Sequence, residues 1–92
     1  MGSTVATRIP AEIVIANSEM LRRHDPVLVQ FRTGEQQVGI VDEVFTEGKV
    51  LWIWTTGPKV RQLILMADVN YIKVRTADFS TARLAVLLQR TA

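Results

Sequence analysis

Between Val27 and Arg75 the chain alternates five apolar, β-branched runs with four short turn signals, and this rhythm constrains its fold more than any other feature. The runs read VLVQF, VGIVDEVF, VLWIW, VRQLILM and YIKV, and the breaks read TGEQQ, TEGK, TGPK and ADVN. Short β-rich runs punctuated by glycine-bearing turns specify antiparallel strands. The pattern predicts a mainly β protein, a small bent five-stranded antiparallel barrel over residues 26–75. Barrels of this kind close their sheet around one small core and commonly serve as binding modules.

Within the runs the two faces are readable. Val27, Val29 and Phe31 fall on one face, and Leu28, Gln30 and Arg32 on the other. Thr33-Gly34 opens the first connection, Glu47-Gly48 signals a tight hairpin in which Gly48 takes positive φ, and Gly57-Pro58 makes the third turn. Ala67-Asp68-Val69-Asn70 reads as one turn of 3₁₀ helix before the last strand.

The lead-in over residues 10–24 reads two ways. Ile9, Ile13, Ala16 and Met20 recur at helical spacing, Pro10 suits a first helical turn, and Arg22, Arg23 and His24 suit a helix C-terminus. The β-branched Ile13-Val14-Ile15 instead suits a strand, followed by a short helix from Ser18. The helix is the preferred reading, ended by Asp25-Pro26. Residues 1–9 form a flexible start, and the whole chain of 92 residues makes one domain.

Two strands violate the in/out rule. Leu51-Trp52-Ile53-Trp54 and Leu63-Ile64-Leu65-Met66 are apolar on both faces, so something must cover the second face. The candidates are the lead-in, the tail or a second copy of the chain. The tail over residues 78–90 carries Leu84-Ala85-Val86-Leu87-Leu88 and is expected to be a helix too apolar for free solvent. It packs either on its own barrel or on a neighbouring subunit.

The segment Val27-Leu28-Val29-Gln30-Phe31, followed by Gly34-Glu35-Gln36-Gln37-Val38-Gly39, resembles the first half of the motif of Sm/Hfq-like proteins. Val69-Asn70-Tyr71-Ile72 resembles the close of the second half. The same strand pattern is similar to SH3-like and Tudor-like barrels. The resemblance implies an N-terminal helix, a turn at Gly34, a long bent strand made possible by Gly39, and nucleic-acid binding. The Asp and Asn that follow the bent strand in Sm proteins are replaced here by Phe45-Thr46-Glu47, and the Arg-Gly pair by Leu65-Met66. No residue of uridine recognition therefore carries over.

Composition narrows the chemistry. There is no cysteine, which excludes disulfides and cysteine-based zinc sites and suits a cytoplasmic setting. No apolar run reaches the ~18–20 residues of a membrane span. His24 is the only histidine, so no histidine cluster for a metal exists, and its place at an element boundary suits a capping or surface role. Asp42 and Glu43 are adjacent on a strand, which sends them to opposite faces unless a bulge intervenes. The expectation is a non-enzymatic module without cofactor or metal.

Two sets of residues remain as candidate sites. Arg32, Arg61, Tyr71, Lys73 and Arg75 form the first: Tyr71, Lys73 and Arg75 share a face, and Arg32 ends the first run, which neighbours the fifth when a barrel closes. Cations for phosphate and a ring for base stacking are what an RNA or DNA platform needs. Trp52, Trp54, Met66, Leu84, Leu87 and Leu88 form the second, an apolar set for a homo-oligomer or protein partner. A contiguous basic face on the subunit favours the first reading, and a persisting apolar face favours the second.

Overall fold

The structure, a computed structural model, describes residues 9–45 and 47–91, with side chains undescribed for residues 89–91. The flexible start expected over residues 1–9 lies, apart from Ile9, outside the described residues. Among the described residues, six antiparallel strands form one sheet: β1 (Glu12–Val14), β2 (Pro26–Phe31), β3 (Gln36–Phe45), β4 (Val50–Thr55), β5 (Arg61–Leu65) and β6 (Val69–Arg75). Their order across the sheet is β1-β6-β2-β3-β4-β5, and one helix, α1 (Thr81–Thr91), follows. The sheet is open, with β1 and β5 at its edges. The expected closed five-stranded barrel is corrected to this arrangement, although its first and fifth strands do pair, as β2 and β6.

The sixth strand comes from the lead-in. Residues 10–24 hold β1 and a 3₁₀ turn (Ser18–Met20) rather than a single helix. Burial there has a period of two: Ile13 and Ile15 are buried while Glu12, Val14 and Ala16 are exposed. The physical reason is an available edge. Glu12, Ile13 and Val14 face Arg75, Val74 and Lys73 on β6, and Ile15 N–H adds a bond to the Ile72 carbonyl at 2.8 Å. A β-branched run beside such an edge gains ladder bonds that outweigh a weak helical stripe.

The core lies on one face of the sheet. Val27 and Val29 of β2, Val41 of β3, Leu51 and Ile53 of β4, Ile64 of β5, and Ile72 and Val74 of β6 are almost wholly excluded from water. Burial of each such side chain contributes roughly 1.5–3 kcal/mol relative to exposure. The tail then covers this same face. Leu84 and Leu87 are buried in the core cluster, with Phe79, Met20 and Leu88 packed against it. Helix α1 starts later than expected, at Thr81, because Thr76–Asp78 forms a separate 3₁₀ turn.

The turns follow the sequence signals. Gly34, Gly48 and Gly57 all adopt positive φ, and Glu47 precedes Gly48 with φ 54°. Met66–Asp68 forms the 3₁₀ turn between β5 and β6, one residue ahead of its expected start. Gly39 has a different role. A Cβ there would lie 2.7 Å from the Trp54 carbonyl oxygen and 2.8 Å from Ile53 Cδ1, so only glycine lets β3 lie this close over β4.

Candidate interaction surface

Strands β4 and β5 build the surface, because both are apolar on both faces. Leu51, Ile53 and Ile64 point into the core, which leaves Trp52, Trp54, Leu63 and Leu65 on the opposite, outer face. The register sets Trp52 beside Leu63, Val50 beside Leu65, and Trp54 beside Arg61. The tryptophans are half-buried, whereas Leu63 and Leu65 stay 45% and 48% exposed. Phe45 of β3, opposite Val50, extends the exposed apolar area at its margin. The tail, one of the candidate covers, lies on the other side of the sheet.

A β-bulge supplies the polar rim. The β3–β4 register runs Val41↔Ile53 and then Glu43↔Trp52, so Asp42 is the extra residue. The bulge resets the alternation and returns Val44 toward the core opposite Leu51. It also corrects the expectation that Asp42 and Glu43 point to opposite faces: both carboxylates approach one guanidinium, Arg23, at 3.6 and 3.7 Å.

Asp42 is the hub of this rim. Its Oδ2 accepts a hydrogen bond from Arg61 Nε at 2.8 Å. That bond, aided by one from the Trp54 side chain and by the charges of Arg61 and Arg23, holds the Asp42 carboxyl below the usual aspartate range, against a partial opposing effect of desolvation. Arg61 in turn lies over the Trp52 ring, its guanidinium carbon 4.1 Å from the centroid. Lys59 sits 5.7 Å over Trp54. The partner of Asp42 is thus Arg61, while Arg32 bonds elsewhere, to the Ala67 carbonyl.

The basic candidates are dispersed. Lys73 Nζ reaches Glu12 Oε1 at 3.3 Å and lies over the Tyr71 ring, whose hydroxyl donates to Gln30 Oε1. Arg75 Nε reaches Asp78 Oδ2 at 3.4 Å, and Arg32 Nε donates to the Ala67 carbonyl at 2.9 Å. Tyr71, Lys73 and Arg75 share the outer face of β6, while Arg61 lies across the sheet on β5. Beside the Lys73 and Arg75 ion pairs runs a groove of about 280 Å³, with Pro26, Leu28 and Val38 in its wall.

The apolar candidates also divide. Trp52 and Trp54 stand on the open outer face, but Leu84 and Leu87 are buried against their own core, and Met66 and Leu88 pack partly against it. Sequence reasoning missed Leu63 and Leu65 as surface residues, although their alternation with Ile64 carried the signal. It also missed Asp42 as the anchor of Arg61, which depends on a bulge that no local pattern marks. His24 is exposed, with φ 79°, and its N–H donates to the Val41 carbonyl at 2.7 Å.

No family model, no curated protein and no solved structure matches this chain. Among the described residues, no helix is long and apolar enough to cross a membrane.

Proposed function

We propose that the chain is a non-enzymatic protein-interaction module whose working surface is the outer face of β4 and β5. The observation that carries this reading is the apolar patch of Trp52, Trp54, Leu63 and Leu65, which no described residue covers, α1 packing on the opposite face. Its rim is charged yet locally balanced, with Asp42 and Glu43 against Arg61 and Arg23. An apolar centre with aromatic residues and a polar rim is the anatomy of a protein-binding patch.

The nucleic-acid reading needs free cations along one face. Lys73, Arg75 and Arg61 each have a carboxylate partner within 3.4 Å, which weakens their call on phosphate. The exposed Arg75 beside Tyr71 and Lys73 is the arrangement that keeps this second reading open to test.

Two titrations separate the readings. Selection from a displayed peptide library should yield ligands whose binding is lost in Trp52→Ala and Leu63→Glu. Labelled single-stranded RNA and duplex DNA, titrated at low and physiological salt, should show no saturable binding. Salt-sensitive binding that disappears in a Lys73→Ala/Arg75→Ala variant, with no peptide selected, would reassign the module to nucleic acid.

A further inference from the structure

Among the described residues, strand β5 pairs with β4 alone and forms an edge of the sheet. In an antiparallel ladder, hydrogen-bonded and non-hydrogen-bonded residue pairs alternate. Bonds at both ends of the β4–β5 ladder fix its phase: Thr55 N–H donates to the Val60 carbonyl at 2.8 Å, and Met66 N–H to the Lys49 carbonyl at 2.9 Å. Counting inward from either end gives the same answer. Gln62 and Ile64 direct their backbone groups at β4, while the N–H and C=O of Arg61, Leu63 and Leu65 point to the open edge.

Edge strands are normally protected by lysine, proline, a bulge or brevity. None of these protects β5. Its sequence is RQLIL, its register with β4 has no shift, and its charge at Arg61 is tethered to Asp42. The opposite edge differs, since β1 is three residues long and carries Glu12.

We propose that β5 pairs antiparallel with β5 of a second copy of this chain, about a two-fold axis at Leu63. This goes beyond the surface assigned above: the contact is made at the edge of β5, beside that face, and leaves the face itself open. The Leu63 centre is the register that engages all the outward backbone groups of β5. It sets Leu63 against Leu63, Gln62 against Ile64 and Arg61 against Leu65, so the two Arg61 cations never face each other. The pairing also joins the two outer faces, running Trp52 and Leu63 of one copy into Leu63 and Trp52 of the next. An interface of this kind is closed and self-complementary.

The test uses the full chain, which has no cysteine, so an introduced thiol gives an unambiguous cross-link. Facing residues in a hydrogen-bonded pair lie with Cα atoms ~5.5 Å apart, within disulfide reach. Leu65 is offset from its own copy by four residues, roughly 13 Å along the strand, and out of reach. Sedimentation equilibrium should give twice the 10.3 kDa chain mass. Leu63→Cys should oxidise to a covalent dimer at least ~tenfold faster than Leu65→Cys. Leu63→Pro removes an N–H that faces only the partner, so it should be monomeric with its β-sheet circular dichroism intact. Equal cross-linking of the two cysteine variants would overturn the register and with it the proposal. A wild-type chain that stays monomeric up to ~1 mM would do the same. If the chain is monomeric while selected peptides still bind the Trp52–Leu63 face, self-pairing falls and the interaction reading stands.

Discussion

The guanidinium of Arg83 on α1 is joined to the carboxylate of Asp25, just ahead of β2, with Nη2 2.5 Å from Oδ2. Both side chains are close to nine-tenths buried. Asp25 Oδ2 also accepts from Arg22 N–H at 2.8 Å, and Arg83 Nη2 also donates to the Met20 carbonyl at 2.9 Å. The pair therefore clamps the tail helix to the lead-in, beside the Leu84 and Leu87 contacts that cover the core.

Breaking that clamp from one side strands a buried charge. Asp25→Ala is expected to destabilise the fold by about 3–5 kcal/mol, because Arg83 loses its carboxylate while its Nη1 has no partner among the described residues. Replacing both, Asp25→Ala with Arg83→Met, should recover much of the loss. Urea unfolding of the single and double variants reads the difference. A single variant within ~0.5 kcal/mol of wild type would show that the pair does not hold the helix.

Gly39 and Gly34 should respond differently to alanine. At Gly39 a methyl group meets backbone and the Ile53 side chain below 3 Å, so β3 and β4 must separate, at about 1–3 kcal/mol. At Gly34 the space is open and only the positive φ of 94° opposes a side chain, at about 1 kcal/mol. Denaturant midpoints should rank Gly39→Ala below Gly34→Ala. The reverse order would mean that β3 does not need its close approach to β4.

The two faces of the sheet predict opposite outcomes for leucine truncation. Leu51 is fully buried, and Leu51→Ala should cost about 2–5 kcal/mol. Leu63→Ala on the outer face should change monomer stability by no more than ~0.5 kcal/mol while weakening association. Thermal unfolding combined with sedimentation separates the two effects. A large stability loss in Leu63→Ala at concentrations where the chain is monomeric would place Leu63 in the core.

Asp42 gives a pH signature. Its carboxyl titrates lower in the folded chain than the ordinary 3.8, so its contribution is present above that value and is lost as pH falls through the depressed folded value. Carbon-detected NMR should find its midpoint below 3.8, and Arg61→Gln should move that midpoint back up. The Trp52 environment should change over the same acidic range, because Arg61 bridges the carboxylate and the ring. An Asp42 midpoint unmoved by Arg61→Gln would remove Arg61 as the cause.

By itself the sequence determined what depends on near neighbours. Alternation put Val27, Val29 and Phe31 on the core side, glycines marked the turns at Gly34, Gly48 and Gly57, and the apolar tail around Leu84 and Leu87 announced a helix that had to be covered. Tertiary structure decided what depends on distant partners. Ile13-Val14-Ile15 became part of the sheet because the end of β6 offered an edge, a gain invisible to local propensity. Arg61 lost its claim as a free cation because a bulge 19 positions earlier aimed Asp42 at it. The tail packs on the inner face because Leu84 and Leu87 find their apolar partners there, with Arg83 joined to Asp25 58 positions away, and Trp52, Trp54, Leu63 and Leu65 face outward.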